Sequence, residues 1–404
     1  MIFYLLIALV VGILAGTFTG LIPGIHINLI AIILLGFATT LLEITTPLTL
    51  IVFITSMAIT HTFIDYVPSI FLGAPDEDSI LSVLPGHKLL LQGRAYYAII
   101  FTLYGSVISL PIIIFFTPIF IYLLPIIYPY IARIMPIILI LVSGYLLFSE
   151  KKKTKIIWAS IIFLLAGFLG IASLNLNLKE PLLPLLTGLF GASNLLISIR
   201  QDTKIPPQTI RPLKEIRLRK KSIAKATFAS IIAAPFTAFL PGLGASQAAL
   251  IGKQVTNMQD QREFLFLLGA INTIVMGLSF IALYSIQKTR TGAAVAISKL
   301  IPELTFTNLT YILVTIILSG LIAAFITIQI AKFTAKNIHK VNYSKISITI
   351  LVILLILTIY FTGFLGLLVF ITSTALGITT IQLEIKRMHL MGALLVPTIL
   401  FYLL

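Results

Sequence analysis

The chain has 404 residues, 59% of them hydrophobic and 10% charged, with a mean hydropathy of +1.11, an apolar share that excludes a soluble enzyme or a soluble binding module. Its net charge of +15 sits in short connectors beside apolar runs, where cations set membrane orientation, so nucleic acid is excluded as a partner. The absence of Cys removes disulfides, thiolate metal sites and Cys nucleophiles, and the five His (26, 61, 87, 339, 389) show no metal-ligand spacing.

The apolar segments are rich in Ile and Leu and lack the alternation of outer-membrane strands. An all-α, multi-pass protein of the cell membrane is the expected fold. The opening MIFYLLIALVVGILAG lacks a basic n-region and reads as a retained helix. It runs into FTGLIPGIHIN at 18–28, where Pro23 removes a backbone donor and Gly24 tolerates conformations other residues avoid. Amides freed by such a break cannot be satisfied by hydrocarbon, so it must face a cavity or protein. A helix restarting after it presents N–H groups and a positive dipole end to a carboxylate or phosphate, with Thr19, His26 and Asn28 as orienting ligands. Alternatively, those side chains satisfy the broken backbone itself.

A span near 46–68 follows and ends in THTFIDY at 60–66. His61, Thr62 and Asp65 are its polar residues, and an ionised Asp at mid-bilayer costs on the order of 3 kcal/mol. Either these residues couple a proton or sodium ion, or Asp65, followed by Tyr66 and Pro68, lies at the interface. In the loop 73–100, Pro75 followed by Asp76, Glu77, Asp78 and Ser79 reads as a helix start, and Lys88 and Arg94 anchor the next span. Spans are expected at 97–124 and 130–149, then a basic connector at 150–155, a hairpin of 156–173 and 182–199, and a basic, Pro-containing cytoplasmic linker at 200–221.

The second half opens with a broken hairpin, 222–252, whose FTAFLPGLGAS (236–246) repeats the first motif 218 residues on. It offers Thr237, Pro241, Gly242, Gly244, Ser246 and Gln247 as the facing substrate ligands. Asn272 and Thr273, in GAINTIV at 269–275, stand where the first half has its His61–Asp65 cluster. A last hairpin pairs 346–361 with 363–381, and LGITTIQLEIK (376–386) matches LGIASLNLNLK (169–179) at an offset of 207. With the basic connectors at 150–155, 200–221, 332–345 and 386–387 all cytoplasmic, the halves 1–199 and 222–404 run with opposite orientation. Each is a re-entrant broken hairpin plus about five spans, an inverted repeat whose paired breaks mark a transporter's binding site.

No HExxH, GxSxG or P-loop occurs, so neither enzyme activity nor a cofactor is expected. The residues point to a secondary transporter that binds a small organic anion at the facing turns and couples it to Na+ or H+. The rival reading is a non-transporting membrane protein, or an intramembrane enzyme on a lipid-type substrate with His61 and Asp65 at its centre. The sequence is silent on dimerisation; a homodimer rests on fold-level analogy with large secondary carriers alone.

GTFTGLIPG (16–24), APDEDSILSVLPGHKLLLQGRA (74–95) with its Gly93-Arg94-Ala95 run, LLTGLFGAS (185–193) and FLPGLGAS (239–246) together carry a family likeness. The chain resembles the large membrane subunit of the tripartite tricarboxylate transporters. That resemblance implies a permease for small carboxylates with the two LPG-type turns near the substrate path. It also implies a periplasmic binding protein and a small membrane subunit as partners.

Overall fold

The computed structural model describes residues 2–22, 42–43, 45–73, 83–150, 152–200, 205–239, 244–288, 291–301, 303–340 and 342–404. Among them, eight helices are long and apolar enough to cross a membrane. In chain order the helices are α1 (Ile2–Leu21), α2 (Pro47–Phe71, with a turn at Asp65), α3 (Val83–Leu91), α4 (Ala95–Phe148), α5 (Lys153–Asn175) and α6 (Leu182–Arg200). After the linker come α7 (Lys220–Phe239), α8 (Ala245–Val255), α9 (Gln261–Ile286), α10 (Gly292–Leu300), α11 (Phe306–Asn337), α12 (Tyr343–Gln382) and α13 (Gly392–Leu403).

Short polar side chains start several of these helices by accepting first-turn amides that hydrocarbon would leave unpaired. Thr46 caps the N–H of Thr49 at 3.3 Å, Asp260 that of Arg262 at 2.9 Å and Asn342 that of Lys345 at 3.1 Å. α9 is buried along its length and forms the centre of the molecule, whereas α1 and α12 present broad apolar faces outward, with Phe3, Phe18, Tyr360 and Phe364 exposed.

Small residues allow the helices to close on one another, as expected where packing must replace the hydrophobic effect. Gly12, Gly16 and Gly20 form a stripe along α1, and a Cβ at either of the first two would overlap Ser56 or the Met57 carbonyl of α2. α4 and α9 cross at Gly105 and Gly269, each seated on the other helix's backbone. Ser106 and Ser109 seal the crossing by donating to the carbonyls of Gly269 (3.1 Å) and Ala270 (2.9 Å).

Two large apolar cores and two small clusters result among the described residues. The largest gathers α2, α3, the first half of α4, α7, α8, α9, α10 and α11; the next joins the second half of α4 to α5, α6, α12 and α13. α4 is the bridge between them. Here the expectation of two spans, 97–124 and 130–149, is corrected: Ala95–Phe148 is one helix of 54 residues, roughly 80 Å at 1.5 Å per residue. Its five prolines (111, 118, 125, 129, 136) read as stops in the sequence; each removes one hydrogen bond and crowds the carbonyl four residues back, which bends a helix, but proline's fixed φ is helical and the helix continues through all five. The hairpin expected around residue 362 is present: Gly363, with a φ of 65° and ψ of −158°, breaks α12, and Leu351 and Leu355 before the break line one cavity with Phe370 and Thr374 after it.

Candidate functional site

The turn at Asp65 lies inside the protein, with Asp65 4% and Asn272 2% exposed. Asn272 Nδ2 of α9 donates to Asp65 Oδ2 of α2 at 3.2 Å. One helical turn earlier on the same face, His61 Nδ1 is 3.1 Å from Thr19 Oγ1 of α1. Thr19 directs its hydroxyl at the Gly16 carbonyl, 3.3 Å away. Thr19 and His61 tie α1 to α2 beside Asp65. α1, α2 and α9 thus converge on two neighbouring polar pairs, Thr19 with His61 and Asp65 with Asn272, of which only Thr19 is half-buried and the rest buried.

The cluster combines a hydroxyl four residues before Pro23 in sequence, an imidazole, a carboxyl group and an amide from the second half of the chain. Buried ionisable groups that face a bundle interior can take up and release a proton or hold a small cation. Thr62 turns away, donating to the Ile59 carbonyl at 2.8 Å, and Thr273 is buried beside Asn272. Thr237 is fully buried, with its hydroxyl on the Ala234 carbonyl at 2.8 Å, and Gly244 and Ser246 stand at the start of α8. Pro23, Gly24, His26, Asn28, Pro241 and Gly242 lie outside the described residues, as do Pro75 through Ser79. Gln247 lies on α8.

The Gly93-Arg94-Ala95 run has a structural task. Gly93 adopts a φ of +72°, with the linker carbonyl of Pro207 packed against it, and Thr209 N–H donates to the Gly93 carbonyl at 2.7 Å. Gln208 Oε1 accepts from Ala95 N–H at 2.9 Å, capping α4, while its amide donates to the Leu90 carbonyl at 3.0 Å. The linker between the halves is docked on this loop.

A second polar cluster escaped the sequence reading. Within α6, Thr187–Ala192 is a π turn that frees carbonyls from their usual partners. Buried Arg387 answers them: its Nη2 donates to the carbonyls of Leu189 (3.3 Å) and Phe190 (2.5 Å) and to Ser193 Oγ (3.1 Å), with the guanidinium over the Phe190 ring. Next to it, Glu150 Oε1 accepts from Lys386 N–H at 2.9 Å and meets His389 Nε2 at 3.0 Å. Burial pushes the Glu150 carboxyl up, but the Lys386 amide and the His389 hydrogen bond more than offset it, and its pKa lies below the ordinary value. Burial pushes His389 down, against the pull of Glu150. His389 Nδ1 makes no hydrogen bond, so protonating it would bury an unpaired N–H. The pair is therefore a carboxylate with a neutral imidazole. A signal was available, since Glu150, Lys386 and Arg387 are charges set against apolar sequence, but nothing in their spacing joins residues so far apart.

A profile described as the tripartite tricarboxylate transporter TctA family matches residues 6–392. The chain is also 32% identical over 409 aligned residues to the uncharacterized protein MJ1079 of Methanocaldococcus jannaschii, covering 98% of this chain and 99% of that one. No solved structure matches.

Proposed function

Because the chain belongs to the tripartite tricarboxylate transporter TctA family, we propose that it is a permease moving small organic anions of the carboxylate class across the cell membrane by alternating access, coupled to Na+ or H+. The family implies a binding protein and a small membrane subunit as partners. The two halves act as inverted repeats, and the observation that carries this reading is the Asp65–Asn272 hydrogen bond.

These residues are 207 apart, the same offset that relates LGIASLNLNLK to LGITTIQLEIK. Equivalent residues of an inverted repeat touch each other only near the axis that relates the repeats, and such folds bind substrate and ion at that repeat interface. Further packing supports the same relation. Gly170 and Gly377, again 207 apart, sit respectively on the Ala393 and Leu189 backbones. α2 packs on α11 as α4 packs on α9, and α1 on α2 as α7 on α9. The connectors at 149–155 and 384–389, both expected on the cytoplasmic face, meet through Lys155, Glu384, Lys386 and Ser149.

In this mechanism the broken turns hold the anion, and Thr19 links the first turn to His61 and Asp65. Neutralising Asp65, by a proton or a sodium ion, reduces the cost of its burial and so favours an occluded state. Proteoliposomes containing the chain, with and without the two partner subunits, test it. Labelled citrate should accumulate under an imposed Na+ or H+ gradient; no gradient-driven uptake across a panel of small carboxylates, partners present, overturns the proposal.

A further inference from the structure

Residues 216–219 lead from the linker into α7 without regular secondary structure. Ile216 and Leu218 pack toward the first core, and Arg217 and Arg219 line a cavity of about 520 Å³. Ser222 and Lys225, in the first turns of α7, continue that wall. The opposite wall is the polar connector between α8 and α9, carrying Asn257, which holds a φ of 48°, together with Asp260 and Glu263.

The charges in this cavity do not balance. Asp260 is held in a two-pronged clamp by Arg262, at 2.7 and 3.0 Å, and also caps α9. Glu263 faces Lys225 Nζ at 4.0 Å, and the same ammonium donates to the Asn257 carbonyl at 3.0 Å. Both acids are thus matched. Among the described residues, Arg217 and Arg219 have no carboxylate in ion-pair contact, although Arg219 lies within electrostatic reach of the clamped Asp260. The surplus is two exposed guanidinium groups two residues apart, of which Arg217 gives its Nε–H to the Lys214 carbonyl, next to a hydroxyl and the opening turn of a helix.

We propose that this cavity binds a phosphate group. Two guanidinium forks, the Ser222 hydroxyl and the α7 amides offer donors from several directions, which suits a tetrahedral dianion with three or more oxygens, whereas one fork satisfies a carboxylate. The cavity's volume suits a headgroup or a small organic phosphate. Because Asn257 and Asp260 lead directly into α9, which carries Asn272, an occupied cavity braces the linker against the central helix. This site is separate from the transport site, and its failure leaves the transport reading untouched.

The test is thermal unfolding of the full chain in neutral detergent, titrated with inorganic phosphate, with short-chain phosphatidic acid, and with phosphatidylcholine, chloride and citrate as controls at equal ionic strength. A saturable rise in Tm is expected with phosphate, phosphatidic acid or both: phosphate alone identifies a free anion, phosphatidic acid alone a lipid headgroup. Arg217→Gln/Arg219→Gln should weaken the midpoint concentration tenfold or more, about 1.4 kcal/mol. Ser222→Asp, which places a carboxylate in the cavity, should do the same, and Lys153→Gln/Lys336→Gln, which removes equal charge elsewhere, should not. The proposal is overturned by the absence of any saturable shift, by a shift that survives both cavity variants, by one that the control variant also abolishes, or by one given by citrate but not by phosphate.

Discussion

Asp65 and Asn272 show how much a single contact can decide. Both are visible in the sequence as polar residues in apolar surroundings, and their places in the two halves are comparable. What the sequence does not contain is that they touch, because an offset shared by two segments says nothing of where the axis between them falls. Replacing Asn272 with Leu removes a donor from a buried carboxylate, a loss of about 1–3 kcal/mol, read as a lower Tm in detergent. The exchange Asp65→Asn/Asn272→Asp reverses the pair across the same gap and should recover most of that stability. An exchanged protein as unstable as Asn272→Leu would show that the two sites are not equivalent. Asp65→Asn alone keeps the shape and removes the charge, so ion dependence of uptake should be lost or shifted; unchanged dependence would exclude Asp65 from coupling.

At the scale of elements, helix starts, apolar spans and the break near Gly363 were legible because each depends on local chemistry. α4 was not, since proline marks both a stop and a tolerated kink, and only the two cores that clasp its halves distinguish the outcomes. The π turn of α6 was equally hidden: LLTGLFGAS reads as an ordinary apolar helix, and its irregularity is sustained by Arg387 from the far end of the chain. Arg387→Met leaves the carbonyls of Leu189 and Phe190 without this donor and should lower stability by about 1–3 kcal/mol for each group left unpaired. Circular dichroism melts of the purified variant check this, and a Tm equal to wild type would mean that the π turn holds itself. Gly269→Val, by contrast, forces a side chain into the Thr102 carbonyl of α4, and overpacking of this kind costs about 1–3 kcal/mol. Its partner variant Ala270→Gly, in the same turn, adds no volume and should cost about 1 kcal/mol or less.

Across the whole molecule, the connectors at 149–155 and 384–389 join one half to the other through the Glu150–His389 pair, so acid should loosen the joint between the halves. The pKa of His389 is lowered in the fold, so the unfolded chain binds more protons as pH drops below about 6.5 and folding is progressively disfavoured. Glu150, also lowered, adds a loss in the same direction as pH falls through its folded pKa. Tm should therefore decline from pH 7 toward pH 4, and His389→Gln, which keeps an N–H for Glu150 but cannot titrate, should flatten the upper part of that decline; an identical slope would remove His389 as its source. Orientation is the larger matter. Lys179 and Lys386 end the two matching segments at an offset of 207, so inverted repeats must place them on opposite faces of the membrane. The chain has no Cys, and single cysteines can be introduced without first removing others. In right-side-out vesicles an impermeant maleimide should label Lys179→Cys and spare Lys153→Cys, Lys214→Cys and Lys386→Cys, with the pattern reversed in inside-out vesicles. Labelling of positions 179 and 386 from one side would overturn the proposed inverted repeat, and with it an axis in the membrane plane between Asp65 and Asn272.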